Sequence, residues 1–168
     1  METLKPFING AFVESESSRF SEIHDPSTGA CIAKVPLCTE SEVNTAIAAA
    51  KAAFPAWSAT PLRKRVQLML KLRDLIIRDM DSLVLCCATE NGKVLSEAAG
   101  DVGKALEMTE LAASSLSLLM GDSLMNTSEG YDTVTYREPL GVFAGIAPWN
   151  FPAMIPVGWM APLCIVCG

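Results

Sequence analysis

Apolar residues recur with a period of two near the start of the chain and of about 3.6 through its middle, so strands should precede helices. Phe7-Ile8 and Phe12-Val13 flank Asn9-Gly10, a pair that accepts positive φ at both turn positions, which predicts a hairpin. Phe20 and Ile23 alternate with polar neighbours, Asp25-Pro-Ser-Thr-Gly29 supplies a turn, and Ala30 to Val35 returns as a strand. Thr39-x-x-Glu42 forms a capping box, and Val43, Ala46, Ile47, Ala50 and Phe54 follow at helical spacing, predicting a helix over about 40–54. A second helix opens at Thr60-Pro61, with Leu62, Val66, Met69, Leu70, Ile76, Ile77 and Met80 on one side and Arg63, Lys64, Lys71 and Arg78 on the other. Leu83 to Thr89 predicts a short helix that Asn91-Gly92 stops. A long helix is expected from about 94 to 120, where Ala98, Ala99, Gly100 and Gly103 let another backbone approach. Tyr131 to Arg137 alternates once more, as a half-exposed strand.

Beyond Pro139 the pattern changes. From there to Gly168 no side chain is charged, and Asn150 is the only side-chain amide. Leu140 to Ala147 reads as a strand buried on both faces, as in a parallel sheet. Pro148-Trp-Asn-Phe-Pro152 stops that strand, and Pro152 suits the start of a following helix. Open parallel sheets bind ligands in such strand-to-helix crevices, and Asn150 puts an amide donor there. Prolines at 139, 148, 152, 156 and 162 leave no longer Pro-free apolar run, so no helix across the roughly 30 Å bilayer core is expected.

Composition narrows the classes further. The 168 residues are 50% hydrophobic, with a formal charge of -6 and a pI near 4.8. That suffices for one globular domain and has the wrong sign for a nucleic-acid or anionic-membrane surface, so neither partner is expected. Met1-Glu-Thr-Leu-Lys-Pro-Phe-Ile carries an acid and no long apolar core, hence no secretory or transit signal; a cytoplasmic location is expected, with a mitochondrial one open. The six cysteines, at 31, 38, 86, 87, 164 and 167, are then read as reduced, and Asn126-Thr127-Ser128 as a glycosylation motif by chance. Cys164-x-x-Cys167 lies deep in an apolar run, unlike a redox pair at an accessible helix start, and zinc needs further ligands, so no metal site is assigned. His24, the only histidine, sits at a strand end, where a surface role and a base are both open.

The segment from Arg137 to Pro152, Arg-Glu-Pro-Leu-Gly-Val-Phe-Ala-Gly-Ile-Ala-Pro-Trp-Asn-Phe-Pro, resembles the signature of the aldehyde dehydrogenase superfamily. The likeness extends back over essentially the whole chain. Phe151-Pro-Ala-Met-Ile-Pro156, Gly92-Lys93, Gly100-Asp101-Val102 and Leu118-Leu-Met-Gly121 are most similar to its CoA-acylating methylmalonate-semialdehyde branch, with Trp149 where that branch usually has Phe. The resemblance implies an incomplete α/β fold: N-terminal hairpins, helices, and the start of a parallel, Rossmann-like sheet. Residues 1–122 would form the N-terminal part of the cofactor-binding domain, 123–139 an oligomerisation strand segment, and 140–168 the first strand and helix of the NAD-binding sheet.

No Gly-x-Gly-x-x-Gly or phosphate loop is present, and the family is similar in holding NAD without one. By resemblance Ile146, Ala147, Pro148 and Trp149 line the nicotinamide end of NAD; ordinary packing at a strand end is the alternative. By resemblance Asn150 donates an amide N–H to the oxyanion formed when a cysteine thiolate attacks the aldehyde carbonyl; a local turn bond is its alternative. Lys104 stands where the branch has an Arg associated with the substrate carboxylate, keeping the charge without the bidentate fork; an exposed helix lysine is the alternative.

The family's nucleophilic cysteine, general-base glutamate and ribose-gripping lysine would lie after Gly168. The resemblance therefore implies the N-terminal portion of an NAD-dependent aldehyde dehydrogenase, a homo-oligomer when whole, that oxidises a small semialdehyde and passes the acyl group to CoA or water. The chain alone would not turn over. A rival reading is a truncated, non-catalytic product that binds a full-length homologue through its apolar tail and the Tyr131 strand.

Overall fold

The computed structural model describes the backbone of residues 2–167 and the side chains of 2–166, so half of the Cys164–Cys167 pairing, the Cys167 thiol, lies outside the described residues. Local chemistry explains the first elements. Asn9 (φ 52°) and Gly10 (φ 79°) take the left-handed region together and join β2 (Phe7–Ile8) to β3 (Ala11–Phe12) as an antiparallel hairpin. β4 (Phe20–His24) pairs antiparallel with β5 (Cys31–Pro36), and the Asp25 carboxylate closes their turn by accepting the Ser27 N–H and the Thr28 hydroxyl. The other edge of β5 takes β1 (Glu2–Thr3) in parallel, a pairing too short to show any alternation in sequence.

α1 (Glu40–Ser58) starts as the capping box requires: Thr39 Oγ1 accepts the Glu42 N–H at 3.3 Å, and the Thr39 N–H donates to Glu42 Oε2 at 2.6 Å. It continues past residue 54 because Pro55 falls in the last turn, where the missing N–H removes a single ladder bond. The Glu42 carboxyl is held down at about 2, first by the Thr39 N–H and then by the Ser15 hydroxyl. A lowered folded value means that this bond stabilises fully above the ordinary 4.5 and is lost as pH falls through about 2. The Glu42 carboxylate resonance should therefore titrate near pH 2, with Thr39 amide protection fading in the same window. Protection that fades around 4.5, or identically in Glu42→Gln, would remove the cap from this account.

α2 (Leu62–Arg78), α3 (Met80–Asn91) and α4 (Leu95–Ala113) form the helical layer. Gly92 ends α3 at φ 75°, the αL stop read from sequence. α4 ends at Ala113 rather than near 120, because the Ser114 and Ser115 hydroxyls bond back to Leu111 O and Ala112 O and the chain continues in turns. On α2 the buried stripe runs through Met69 and Ile76, with Leu62, Val66 and Leu72 beside it, while Leu70 and Ile77 are exposed. One core cluster joins Met69, Ala112, Ala113 and Val166; the other joins Ile76, Cys87, Ala98 and Val102. Gly100 and Gly103 do not mediate the close approach expected of them: a Cβ on either would meet open space. The tight crossing is at Gly158, where a Cβ would lie 2.9 Å from the Ala105 Cα.

β6 (Ser123–Ser128) and β7 (Tyr131–Val134) form an irregular antiparallel ribbon, exposed along its whole length. Leu140 to Ala147 differs from expectation. It carries no strand ladder, and Leu140 and Ile146 are 88% and 95% exposed, because among the described residues no neighbouring strand pairs with it. A π-helical segment, Met154–Met160, follows and leads into α5 (Ala161–Cys167). Pro156 has no N–H to give and so weakens the narrower α ladder there. Among the described residues no helix is long and apolar enough to cross a membrane.

Candidate functional site

The loop from Pro148 to Ala153 joins the extended 140–147 segment to the π-helical turn, and three polar ties hold it against α3 and α4. Asn91 Nδ2 donates to the Trp149 carbonyl at 2.9 Å. The Lys93 ammonium lies 4.4 Å from the centroid of the Phe151 ring. The Met154 N–H, at the start of the π-helical turn, donates to Asp101 Oδ1 at 2.8 Å. Asp101 is 3% exposed, and its Oδ2 accepts from Lys93 Nζ at 2.9 Å and from the Cys87 thiol at 3.5 Å. Burial, followed by the Asp101 charge, pushes the Cys87 thiol up, while the Lys93 charge opposes this.

Asn150 sits between these ties. Its side chain is exposed and has no hydrogen-bond partner among the described residues, so the local turn bond weighed as its alternative is not made. Ile146, Ala147, Pro148 and Trp149 run into it as one uncharged strip, with Ile146 and Trp149 facing solvent. Ala147 also lines an apolar cavity of about 410 Å³ together with Phe143, Pro156, Met160 and Cys164. Lys104 is not drawn to the strip: its ammonium donates to Glu107 on its own helix, with half the side chain exposed.

Sequence reasoning missed the ties. Asn91 served only as a helix stop and Asp101 only as part of a motif; the one available signal was an acid set among Ala98, Ala99, Gly100, Val102 and Gly103 on a packed helix. Elsewhere, ligand atoms of Glu22, His24 and Cys31 come within 4.8 Å of one another on β4 and β5. Glu22 there already pairs with Lys34 at 3.4 Å, so a cation occupies its carboxylate.

Comparison with known proteins bears on this geometry. The model of the "Aldehyde dehydrogenase family" matches residues 12–168. An Arabidopsis thaliana protein named "Methylmalonate-semialdehyde dehydrogenase [acylating], mitochondrial" is 48% identical over 161 residues, covering 96% of this chain and 26% of its own length. The crystal structure of a methylmalonate-semialdehyde dehydrogenase from Oceanimonas doudoroffii superposes with a TM-score of 0.94 at 36% identity, over 100% of this chain and 34% of that one. A Sinorhizobium meliloti protein described as a methylmalonate-semialdehyde dehydrogenase, solved with NAD, gives 0.93 at 35% identity over 99% and 34%. The chain thus spans between about a quarter and a third of the length of these relatives. With its signature loop tied down on the helical layer and its matched region running from residue 12 onward, the chain belongs to the aldehyde dehydrogenase family and folds as the N-terminal portion of such an enzyme.

Proposed function

We propose that this chain supplies the oxyanion donor and the nicotinamide-facing strip of an NAD-dependent dehydrogenase that oxidises methylmalonate or malonate semialdehyde. The observation that carries the reading is Asn150: a side-chain amide free of hydrogen-bond partners among the described residues, on a loop tied at 149, 151 and 154. Such a donor stabilises charge that appears only when a thiolate adds to the aldehyde carbonyl. The attacking cysteine would come from sequence outside these residues, and CoA or water would take the acyl group, the word "acylating" in the relatives' names favouring a carrier such as CoA.

The uncharged strip 146–149, with Ala147 on an apolar cavity, fits the flat face of a nicotinamide ring. When bound, NAD would accept the hydride. Ile146, Ala147, Pro148 and Trp149 would exclude water on that side, while Asn150 holds the developing negative charge. Lys104 is kept as the candidate for the substrate carboxylate, provided its Glu107 bond is exchanged on binding.

Two purified proteins test this: the 168-residue chain, and a longer polypeptide that begins with it. With semialdehyde, NAD and CoA, the longer protein should form NADH and the chain alone should not. NADH from the chain alone would end the reading. A second reading, a non-catalytic product docked on a full-length homologue, is favoured by the fully exposed β6–β7 ribbon, with Met125 and Tyr131 about 70% exposed. It requires co-purification with that homologue and an inactive longer protein.

A further inference from the structure

We propose that Asp101 is the positioning residue for Asn150, an inference that rests on the oxyanion role just proposed. A carboxylate this deeply buried is tolerated only when paired and fully hydrogen-bonded. The side chain of Asp101 is 1% exposed, that of Lys93 15%. One oxygen takes the Met154 N–H, an amide at a helix start that has no partner within its own helix, where negative charge is favoured. The other takes the Lys93 ammonium, which in turn covers the Phe151 ring.

A single ion pair therefore reaches the chain on the far side of Asn150 at two points, Phe151 and Met154. Asn91, two residues before Lys93, holds the near side at the Trp149 carbonyl. The Asn150 side chain hydrogen-bonds to none of these groups, so Asp101 acts on it through the backbone. A donor must sit within about 0.5 Å of its productive position, and displacement by about 1 Å costs on the order of 100-fold in rate. The buried pair fixes that position relative to α4.

The test is a double-substitution cycle in the dehydrogenase that carries this chain, because a merely structural residue and one acting through Asn150 then part company. Asp101→Asn keeps the volume and an acceptor for Met154 but removes the charge facing Lys93. It should lower kcat roughly 10- to 100-fold with the aldehyde KM within about twofold. In an Asn150→Ala background the same change should cost less than about twofold, since no donor is left to misplace. Equal losses in both backgrounds, or no loss in the parent, overturn the proposal. If Asp101→Asn does not fold, Lys93→Met, which keeps the stem and removes the ammonium, must show the same non-additivity. Asn150→Ala with an unchanged rate would instead sink the oxyanion reading on which the proposal rests.

Discussion

Asn150→Ala, made in a dehydrogenase that carries this chain, should lower kcat by roughly 10²–10³, equivalent to about 2.7–4 kcal/mol of transition-state stabilisation, and should leave the aldehyde KM nearly unchanged, as the proposed oxyanion role requires. The expected asymmetry follows from what the amide would face in the proposed role. The ground-state aldehyde needs little from a donor, whereas the oxygen that becomes negative after thiolate addition needs one at hydrogen-bond distance in a site that excludes water. The side chain is available for that task, since no described group occupies it. Asn150→Asp is the sharper comparison. It keeps the shape but presents acceptors to an anion, so its loss should at least equal that of alanine. NADH formation at saturating NAD measures both, and an alanine variant within about threefold of the parent would return Asn150 to the role of a turn residue.

Gly158→Val should be strongly destabilising, far more so than a substitution at Gly100 or Gly103. A first Cβ would stand 2.9 Å from the Ala105 Cα and 3.2 Å from the Met108 Cβ, and the nearest atom is backbone that cannot swing away. The π-helical segment would have to lift from α4. Overpacking of this kind destabilises by about 1–3 kcal/mol, and the extra methyls of valine put it at the upper end of that range. With a Tm shift of roughly 2–4 °C per kcal/mol for a chain of this size, thermal unfolding should fall by several degrees. Gly100→Ala is the control: its Cβ meets nothing within 4 Å, so the helix should gain roughly 0.5–1 kcal/mol. Equal effects at the two glycines would show that Gly158 is not the point of closest approach.

What could be read from sequence was chemistry closed within a few residues. Asn9-Gly10, the Thr39–Glu42 box and Gly92 each satisfy their own backbone, so no distant partner is needed to recognise them. The aldehyde dehydrogenase signature and the family that it implied were legible for a similar reason, being carried on one uninterrupted segment. Leu140 to Ala147 shows the opposite case. An apolar run announces that something will cover it, but a strand exists only through a neighbour, and none of the described strands lies beside it. Asp101 could not be placed because its burial depends on Lys93 and Met154 arriving from 8 and 53 residues away. The end of α4 turned on two serine hydroxyls, whose choice between solvent and the ladder is not written in periodicity.

The last helix is fastened by donors from the first half of the chain: Trp57 Nε1 gives its hydrogen to Ile165 O at 2.8 Å, and an Arg65 guanidinium nitrogen to Val166 O at 2.6 Å. These clasps span 108 and 101 residues. During synthesis from the N-terminus, α1 and α2 are complete long before their acceptors exist, whereas α3 and α4 meet across only the few residues between Asn91 and Leu95. Loop closure over such a distance comes late and needs the intervening helices already assembled. On the ribosome the α3–α4 pair is therefore the part that can settle first, and α1 and α2 are clasped to α5 only once residues 161–167 have emerged.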